Sequence, residues 1–353
     1  MKKFNRTFDY SVFIGRFQPF HKGHLQAVHQ AFQQSKHLII LVGSAFAAPN
    51  IRNPFSFEQR RELLSANLND AGYQNKFTIL PISDFYYSDN AWVAQVQQRV
   101  QTIVGANTNI ALIGSKKDTT SYYLDLFPKW QFISVEGDFT VNATDVRGSY
   151  LDRRNFNFQT TWQSGISNKV SQLTIEFLEQ FQNTEIFKLL AEEFQEMLSY
   201  KETWAKAPYP PIFVTTDAIV TCCGHVLLVT RKTHPGKGLY ALPGGFLNQH
   251  EMIEDGCLRE LKEETRIKVP LPVLRGSIVD KNVFDHPLRS VRGRTITHAF
   301  YIELKDKELP KVKGDDDAEN AFWMPLSEVL NHPEKFFEDH AQILNSFIGR
   351  GSK

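Results

Sequence analysis

Two short stretches hold side chains whose types and spacing could do chemistry. The first, "GRFQPFHKGH" at residues 15–24, follows a short apolar run and carries Gly15, Arg16, Phe17, His21, Lys22, Gly23 and His24. His21 and His24 stand three apart, so on an entering helix they share a face. Two imidazoles placed there can donate to oxygens that gain charge during displacement at phosphorus. A glycine-bearing strand-to-helix turn lets backbone N–H groups approach an anion, and Arg16 and Lys22 add cationic grip. The other reading of His24 is helix packing. In the second stretch Glu260, Glu263 and Glu264 fall at i, i+3 and i+4, on one face of a single turn. Carboxylates that close repel one another unless a cation lies among them. Hard oxygen donors suit Mg2+ or Mn2+, ions that polarise a diphosphate and activate water. Arg259 can orient a carboxylate by bidentate pairing. The other reading is a solvated acidic helix face.

These residues need elements to position them. "YSVFI" (10–14), "HLIILVG" (37–43), "FTILPI" (77–82) and "NIALIG" (109–114) are short apolar runs that suit buried parallel strands. Helical spacing separates them, in "HLQAVHQAFQQS", in a helix capped by Ser56 with Gln59 at the capping-box position, and in "NAWVAQVQQRVQTIV". This β-α-β-α order predicts an α/β fold, a Rossmann-like doubly wound parallel sheet with its ligand at the carboxyl ends of the strands. From 165 to 205 the pattern is helical, until "PYPP" (208–211) breaks it. Beyond it, "IFVTTDAIVTC", "HVLLVTR" and "RTITHAFYIEL" read as strands around one strong helix, 251–265, with closing helices in "PLSEVL" and "FEDHAQILNSFI". That half reads as α+β. The expected division is a first domain over 1–185, a helical linker over 186–207 and a second domain over 208–350.

The 353 residues suffice for two domains, each with a sizeable core. Forty Lys+Arg against 39 Asp+Glu leave a formal charge of +1, which argues against bulk nucleic-acid or anionic-membrane binding. Three cysteines without framework or zinc spacing argue against a disulfide scaffold. No apolar run approaches the roughly 18 residues that span a bilayer, and the N-terminus lacks the apolar core of a signal peptide. The expected location is the cytoplasm, with no nucleic-acid or membrane partner. Whether the chain forms a homo-oligomer is left open.

The string "GRFQPFHKGHL" resembles the nucleotidylyltransferase signature. With "NPFSFEQR" (53–60), "YSDNAW" (87–92) and "NATDVR" (142–147) it resembles the archaeal-type nicotinamide mononucleotide adenylyltransferases. The resemblance implies adenylyl transfer from ATP to nicotinamide mononucleotide, giving NAD and pyrophosphate without a covalent intermediate. In that family the late motif, SGTxxR or SSTxxR, opens a helix and binds ATP phosphates through its hydroxyl and its Arg. Thr144 and Arg147 match, whereas Asn142 and Ala143 depart from it. Asn90 and Trp92 match positions that hold the nicotinamide ring, and an aromatic face suits a cationic pyridinium. A core tryptophan is the other reading. Asp84, Lys117 and Asp118 are further candidates for the same pocket.

From Gly245 the chain reads G-x5-E-x7-R-E-L-x-E-E-x-R-I, which resembles the Nudix box. Arg266 is its one departure, standing where the family has a helix-ending Gly. The order of the two motifs resembles the bacterial bifunctional nicotinamide mononucleotide adenylyltransferase/Nudix hydrolases. This implies a second activity, metal-dependent hydrolysis of ADP-ribose to AMP and ribose 5-phosphate. Glu260, Glu263 and Glu264 would hold the metal, with Glu263 and Glu264 catalytic, and the general base is not identifiable. Arg289, Arg292 and Arg294 could hold a terminal ribose or phosphate, make a subunit contact, or simply be solvated. Asp315, Asp316 and Asp317 read as a polar turn or an extra metal contact, and "FEDHAQI" (337–343) as an adenine-side contact or a capped helix. Two other functions stay open. The Nudix half could sense a nucleotide or cleave another diphosphate, and the first half could adenylylate a different phosphate.

Overall fold

The computed structural model describes residues 7–105, 108–115, 123–135, 141–154 and 158–348. Lys117 and Asp118 lie outside them. The chain divides into two compact units, Met1–Phe194 and Gln195–Lys353.

In the first unit the apolar runs become strands β1 (Phe8–Gly15), β2 (Ser35–Val42), β3 (Phe77–Pro81), β4 (Ile110–Gly114) and β5 (Gln131–Ser134). They form a parallel sheet in the order β3-β2-β1-β4-β5. Side chains alternate between its faces. Phe13, Leu38, Ile40, Val42 and Ile113 pack with Val28 and Ala31 of α1 (Lys22–Gln34) and Leu64 and Leu68 of α2 (Phe57–Asp70). Val12, Ile39, Leu41 and Leu112 pack on the other face with Val96 and Val100 of α3 (Asp89–Gln101). A sheet apolar on both faces needs cover on both, which makes the fold doubly wound. The strand order reverses direction between β1 and β4, and their carboxyl ends frame the ligand crevice of such sheets. Helices α4 (Ala143–Leu151), α5 (Phe158–Ile166) and α6 (Gln172–Phe181) complete the unit.

The residues expected as a separate linker form one helix, α7 (Glu185–Trp204), which runs across the division. Phe187 is buried against Tyr150 of the first unit, at 4.9 Å between centroids. Tyr200 and Trp204 meet Phe213 of the second.

The second unit is built on β6 (Ile212–Cys222), β7 (His225–Arg231), β8 (Tyr240–Ala241), β9 (Gly244–Phe246), β10 (Ile278–Phe284), β11 (Arg294–Glu303) and β12 (Ala318–Pro325). Its sheet runs β10-β11-β6-β7-β12, with β8 beside β7 and β9 beside β6. β6 and β11 are parallel, and the other pairs are antiparallel. Helix α8 (Ile253–Thr265) lays Cys257, Leu258 and Leu261 on Ala218, Val220 and Cys222 of β6. Arg266 ends α8 at φ 46, adopting the left-handed conformation normally left to Gly at a cost of roughly 1–2 kcal/mol. Helices α9 (Leu271–Gly276), α10 (Leu326–Asn331) and α11 (His340–Ile348) close the unit. Among the described residues no helix is long and apolar enough to cross a membrane.

Two buried groups make the fold testable. Arg60, 1% exposed, donates to the carbonyls of Arg16, Gly43 and Ser44, tying the ends of β1 and β2 to α2. Leaving a buried carbonyl without its donor costs about 1–3 kcal/mol, so Arg60→Met is expected to lower the urea-measured stability of the first unit by about 3 kcal/mol or more. His340 Nδ1 accepts the Leu242 N–H at 3.0 Å, and burial pushes its pKa down to about 3. Below the ordinary imidazole range the unfolded chain takes up a proton that the folded one refuses. Stability is therefore lost as pH falls. About 2 kcal/mol should disappear between pH 7 and pH 5, and His340→Asn should flatten that slope in denaturation curves taken across the range.

Candidate active sites

In the first unit a cavity of about 310 Å³ opens above the carboxyl ends of β1 and β4, at the point where the strand order reverses. Arg16, Phe17, Gln18, His21 and His24 line it from the β1–α1 turn. Gly114 and Ser115 line it from β4, and Asn142, Ala143, Thr144 and Arg147 from the start of α4. Gly15 is required by close approach, because a Cβ there would meet the Phe17 ring at 2.9 Å.

His21 is the N-cap of α1, and with His24 it forms a reciprocal box. His21 Nδ1 accepts the His24 N–H at 3.4 Å, and His24 Nδ1 accepts the His21 N–H at 3.3 Å. The rings stack 3.6 Å apart, with Phe17 and Phe20 against His24. A backbone N–H can only donate, so each Nδ1 must be an acceptor. In the neutral ring the proton then resides on Nε2. The cap thus sets the tautomer as well as the position of both imidazoles.

At α4, Asn142 occupies the N-cap and its side chain accepts the Asp145 N–H at 2.8 Å. Asn caps as well as Ser does, so this departure from the motif preserves the helix start. Arg147 is 8% exposed and donates to the Gln18 carbonyl at 2.7 Å and to Thr144 Oγ1 at 3.2 Å. Burial, with Arg16 and Arg52 adding like charge, lowers its pKa to about 10. Among the described residues that line the cavity there is no carboxylate, and Arg16 and Arg147 make that wall cationic.

Several expected residues stand elsewhere. Lys22 does not line this cavity, because its Nζ is held by the carbonyl of Asn168 at 2.9 Å. Asn90 is exposed in the first turn of α3. Trp92 is half-buried in the core, edge-on to Tyr123 and Phe127 at 5.7 and 5.9 Å, and neither residue is part of the cavity wall. Asp84 accepts the Ser44 N–H at 3.2 Å and offsets the charge of Arg60. Arg52 escaped the sequence reading because its relation to Arg147 crosses the fold.

In the second unit a cavity of about 300 Å³ brings together Glu260, Glu263 and Glu264 of α8, Arg231 and Asp217 of the sheet, Arg292, and Phe246 and Phe337. Gly245 makes room for an acid: a Cβ there would meet the Glu260 carboxyl carbon at 2.6 Å. Arg259 pairs with both oxygens of Glu251 at 2.9 and 2.7 Å, and its other arm reaches Glu260 at 2.8 Å and Glu263 at 2.7 Å. This guanidinium pulls the Glu251 carboxyl down to about 2. Burial pushes Glu264 up to about 8, against the Gly244 N–H that it accepts at 2.9 Å and with Glu260 adding like charge. Burial also raises Glu260.

The donor chemistry fits a divalent cation. All the groups are carboxylate oxygens on one turn, and they face a cavity. Among the described residues no three acids converge at ligand distance. Arg259 is the cation that Glu260 and Glu263 share here.

Arg292 lies between two phenyl rings, 5.5 Å from the centroid of Phe246 and 5.7 Å from that of Phe337. Arg294, expected beside it, pairs instead with the backbone carbonyl and carboxylate of Asp285 and does not line this cavity. Arg289 forms a buried two-point pair with Asp339 at 3.0 and 2.9 Å. Asp217 and Arg231 were not singled out from the sequence, whereas Glu338 and His340 fall in the 337–343 stretch read as an adenine-side contact or a capped helix, and both line this cavity. Asp217 left a signal, a lone acid within the apolar run of β6. Glu338 is half-buried at φ 45 and accepts the Val291 N–H at 2.9 Å.

Comparisons with known proteins agree with this division. Residues 12–147 match the Cytidylyltransferase-like family model and residues 212–347 match the NUDIX domain model. A bifunctional NMN adenylyltransferase/ADP ribose pyrophosphatase from Francisella tularensis is 40% identical in sequence. The match has a TM-score of 0.89 and covers 97% of this chain and 99% of that one. A second structure of that description, complexed with AMP and a manganese ion, matches at 39% identity and a TM-score of 0.88 with the same coverage. A nicotinamide/nicotinic acid mononucleotide adenylyltransferase from Acinetobacter baylyi is 40% identical over 53% of this chain and 94% of its own length. An ADP-ribose pyrophosphatase from Methanocaldococcus jannaschii is 35% identical over 38% of this chain and 72% of its own length. With both motifs set in the walls of two separate cavities, the chain belongs to the family of bifunctional nicotinamide mononucleotide adenylyltransferase/ADP-ribose pyrophosphatases.

Proposed function

We propose that the first unit transfers the adenylyl group of ATP to nicotinamide mononucleotide and that the second hydrolyses ADP-ribose to AMP and ribose 5-phosphate. The observation that carries the first reading is the cationic cavity at the sheet's reversal point, with two imidazoles locked by their own cap. An oxygen of the mononucleotide phosphate attacks the α-phosphorus of ATP, and the bond to pyrophosphate breaks. His21 and His24 donate from Nε2 to oxygens that gain charge in that step. Arg16 and Arg147 meet the leaving phosphates, with Thr144 and the start of α4 beside them. These donors are already held by the protein, so little reorganisation is needed as charge moves.

In the second unit Glu260, Glu263 and Glu264 would hold a divalent metal, Mg2+ with Mn2+ able to replace it. Such an ion neutralises a diphosphate and activates water. Arg259 keeps Glu251 paired and the box acids oriented. Arg292 with Phe246 offers a cationic and aromatic face to the nucleotide. A cytoplasmic location belongs to the same reading, and the three free cysteines support it.

His24→Ala is expected to lower kcat for NAD formation by about 100-fold, the size of a lost transition-state donor. A near-normal kcat would return this histidine to packing. In the same preparation, Glu264→Gln should abolish AMP formation from ADP-ribose while NAD synthesis continues. Full hydrolysis by that variant would remove catalysis from α8.

A further inference from the structure

Arg266 replaces the glycine of the Nudix box, and nothing within α8 accounts for an arginine in the left-handed conformation. Its guanidinium is used outside the helix, where two of its nitrogens bind Asp315 Oδ2. The Asp315 N–H donates to the carbonyl of Glu264 at 3.1 Å, and the Lys313 N–H to that of Thr265 at 2.8 Å. Residues 313–315 are thus laced to the last turn of the helix that carries the box acids. The Asp315 carbonyl then accepts the Ala318 N–H at 3.0 Å, closing a turn in which Asp316 sits at φ 53. From the other side, Lys232 donates its N–H to the Asp317 carbonyl at 3.1 Å. The turn is pinned at both ends, and it sets Asp316 and Asp317 in the same cavity wall as Glu260, Glu263 and Glu264. Asp317 faces Arg231 closely enough to favour its charged form.

We propose that Asp316 supplies a further carboxylate to the divalent-metal centre of the second unit, and that the Arg266–Asp315 pair is the brace that holds it there. This rests on the metal-dependent reading of that unit. Arg266 acts as a positioning residue and touches neither metal nor substrate. Its ion pair is exposed, with side chains 61% and 41% accessible, so it adds little to stability. What it contributes is the place of the turn. The glycine of the box ends the helix without such a brace, whereas arginine both ends it and fastens the acidic turn to it.

The experiment is a calorimetric titration of the full chain with Mn2+ alone. It compares the unsubstituted chain with Glu263→Gln, Asp316→Asn, Arg266→Gln, Asp315→Asn and the double variant Arg266→Gln/Asp315→Asn, with a melting curve for each. Mn2+ affinity is expected to fall about ten-fold in Asp316→Asn and in either brace variant, the size typical for outer partners of a metal site. The double variant should be no worse than either single, and the melting temperatures should stay together. If Glu263→Gln weakens Mn2+ binding while Asp316→Asn and Arg266→Gln remain within about two-fold of the unsubstituted chain, the proposal fails and the metal centre stands. Weakening by Asp316→Asn alone would overturn the brace. Mn2+ binding that is indifferent to Glu263→Gln would overturn the metal centre itself. A fall in melting temperature without a fall in affinity would make Arg266 a structural residue and overturn its positioning role.

Discussion

Gathering like charges side by side is the constraint on which both halves of this chain are built. A guanidinium or carboxylate taken out of water strongly disfavours its charged form unless something opposite faces it. The chain nevertheless sets Arg147 with Arg16 in one cavity and within the field of Arg52, and Glu260 beside Glu264 in the other. Burial first, with like charges nearby adding to it, pushes Arg147 down and Glu264 up. Polyphosphate oxygens at the first site and a divalent cation at the second are the groups that would offset these charges. The bulk charge of the chain shows none of this, because it sums 40 basic and 39 acidic residues wherever they lie.

Holding such groups in place calls for neutral hydrogen bonds, and the chain draws these from helix ends. At α1 two histidines cap each other and thereby present their Nε2 atoms. At α4 an asparagine does the work of the family's hydroxyl, so a departure in sequence leaves the geometry intact. Arg60, one turn inside α2, gathers the carbonyls at the ends of β1 and β2. At the end of α8 an arginine takes over the conformation of a glycine and gains a partner by doing so. In each case a backbone group that a helix or strand leaves unpaired becomes the anchor of a functional side chain.

Some residues failed to take their expected places, for reasons visible in the fold. Lys22 lies one residue beyond the cap, where its long side chain reaches the carbonyls that follow α5. Arg294 opens β11, so its side chain is drawn to Asp285 just past the end of the antiparallel neighbour β10. Trp92 sits on the face of α3 that covers the sheet, and part of its large ring is buried there beside Tyr123 and Phe127. Spacing along a sequence says which residues share a face. It does not say which neighbour that face meets.

The amino-acid sequence by itself determined what is local. One-turn spacing united Glu260, Glu263 and Glu264, set His21 and His24 within reach of each other, and placed Ser56 and Gln59 as a cap. Short continuous apolar runs determined a sheet with two buried faces, and with it the location of the first cavity. Tertiary structure alone decided what depends on distant segments meeting. Arg147 finds the Gln18 carbonyl across 129 positions, Arg292 inserts between Phe246 and Phe337, and the Asp315 turn fastens to the end of α8. No periodicity encodes such meetings, because they follow from strand order and from the paths of loops. The charges that make each cavity a site are imposed by burial, and burial is a property of the folded chain.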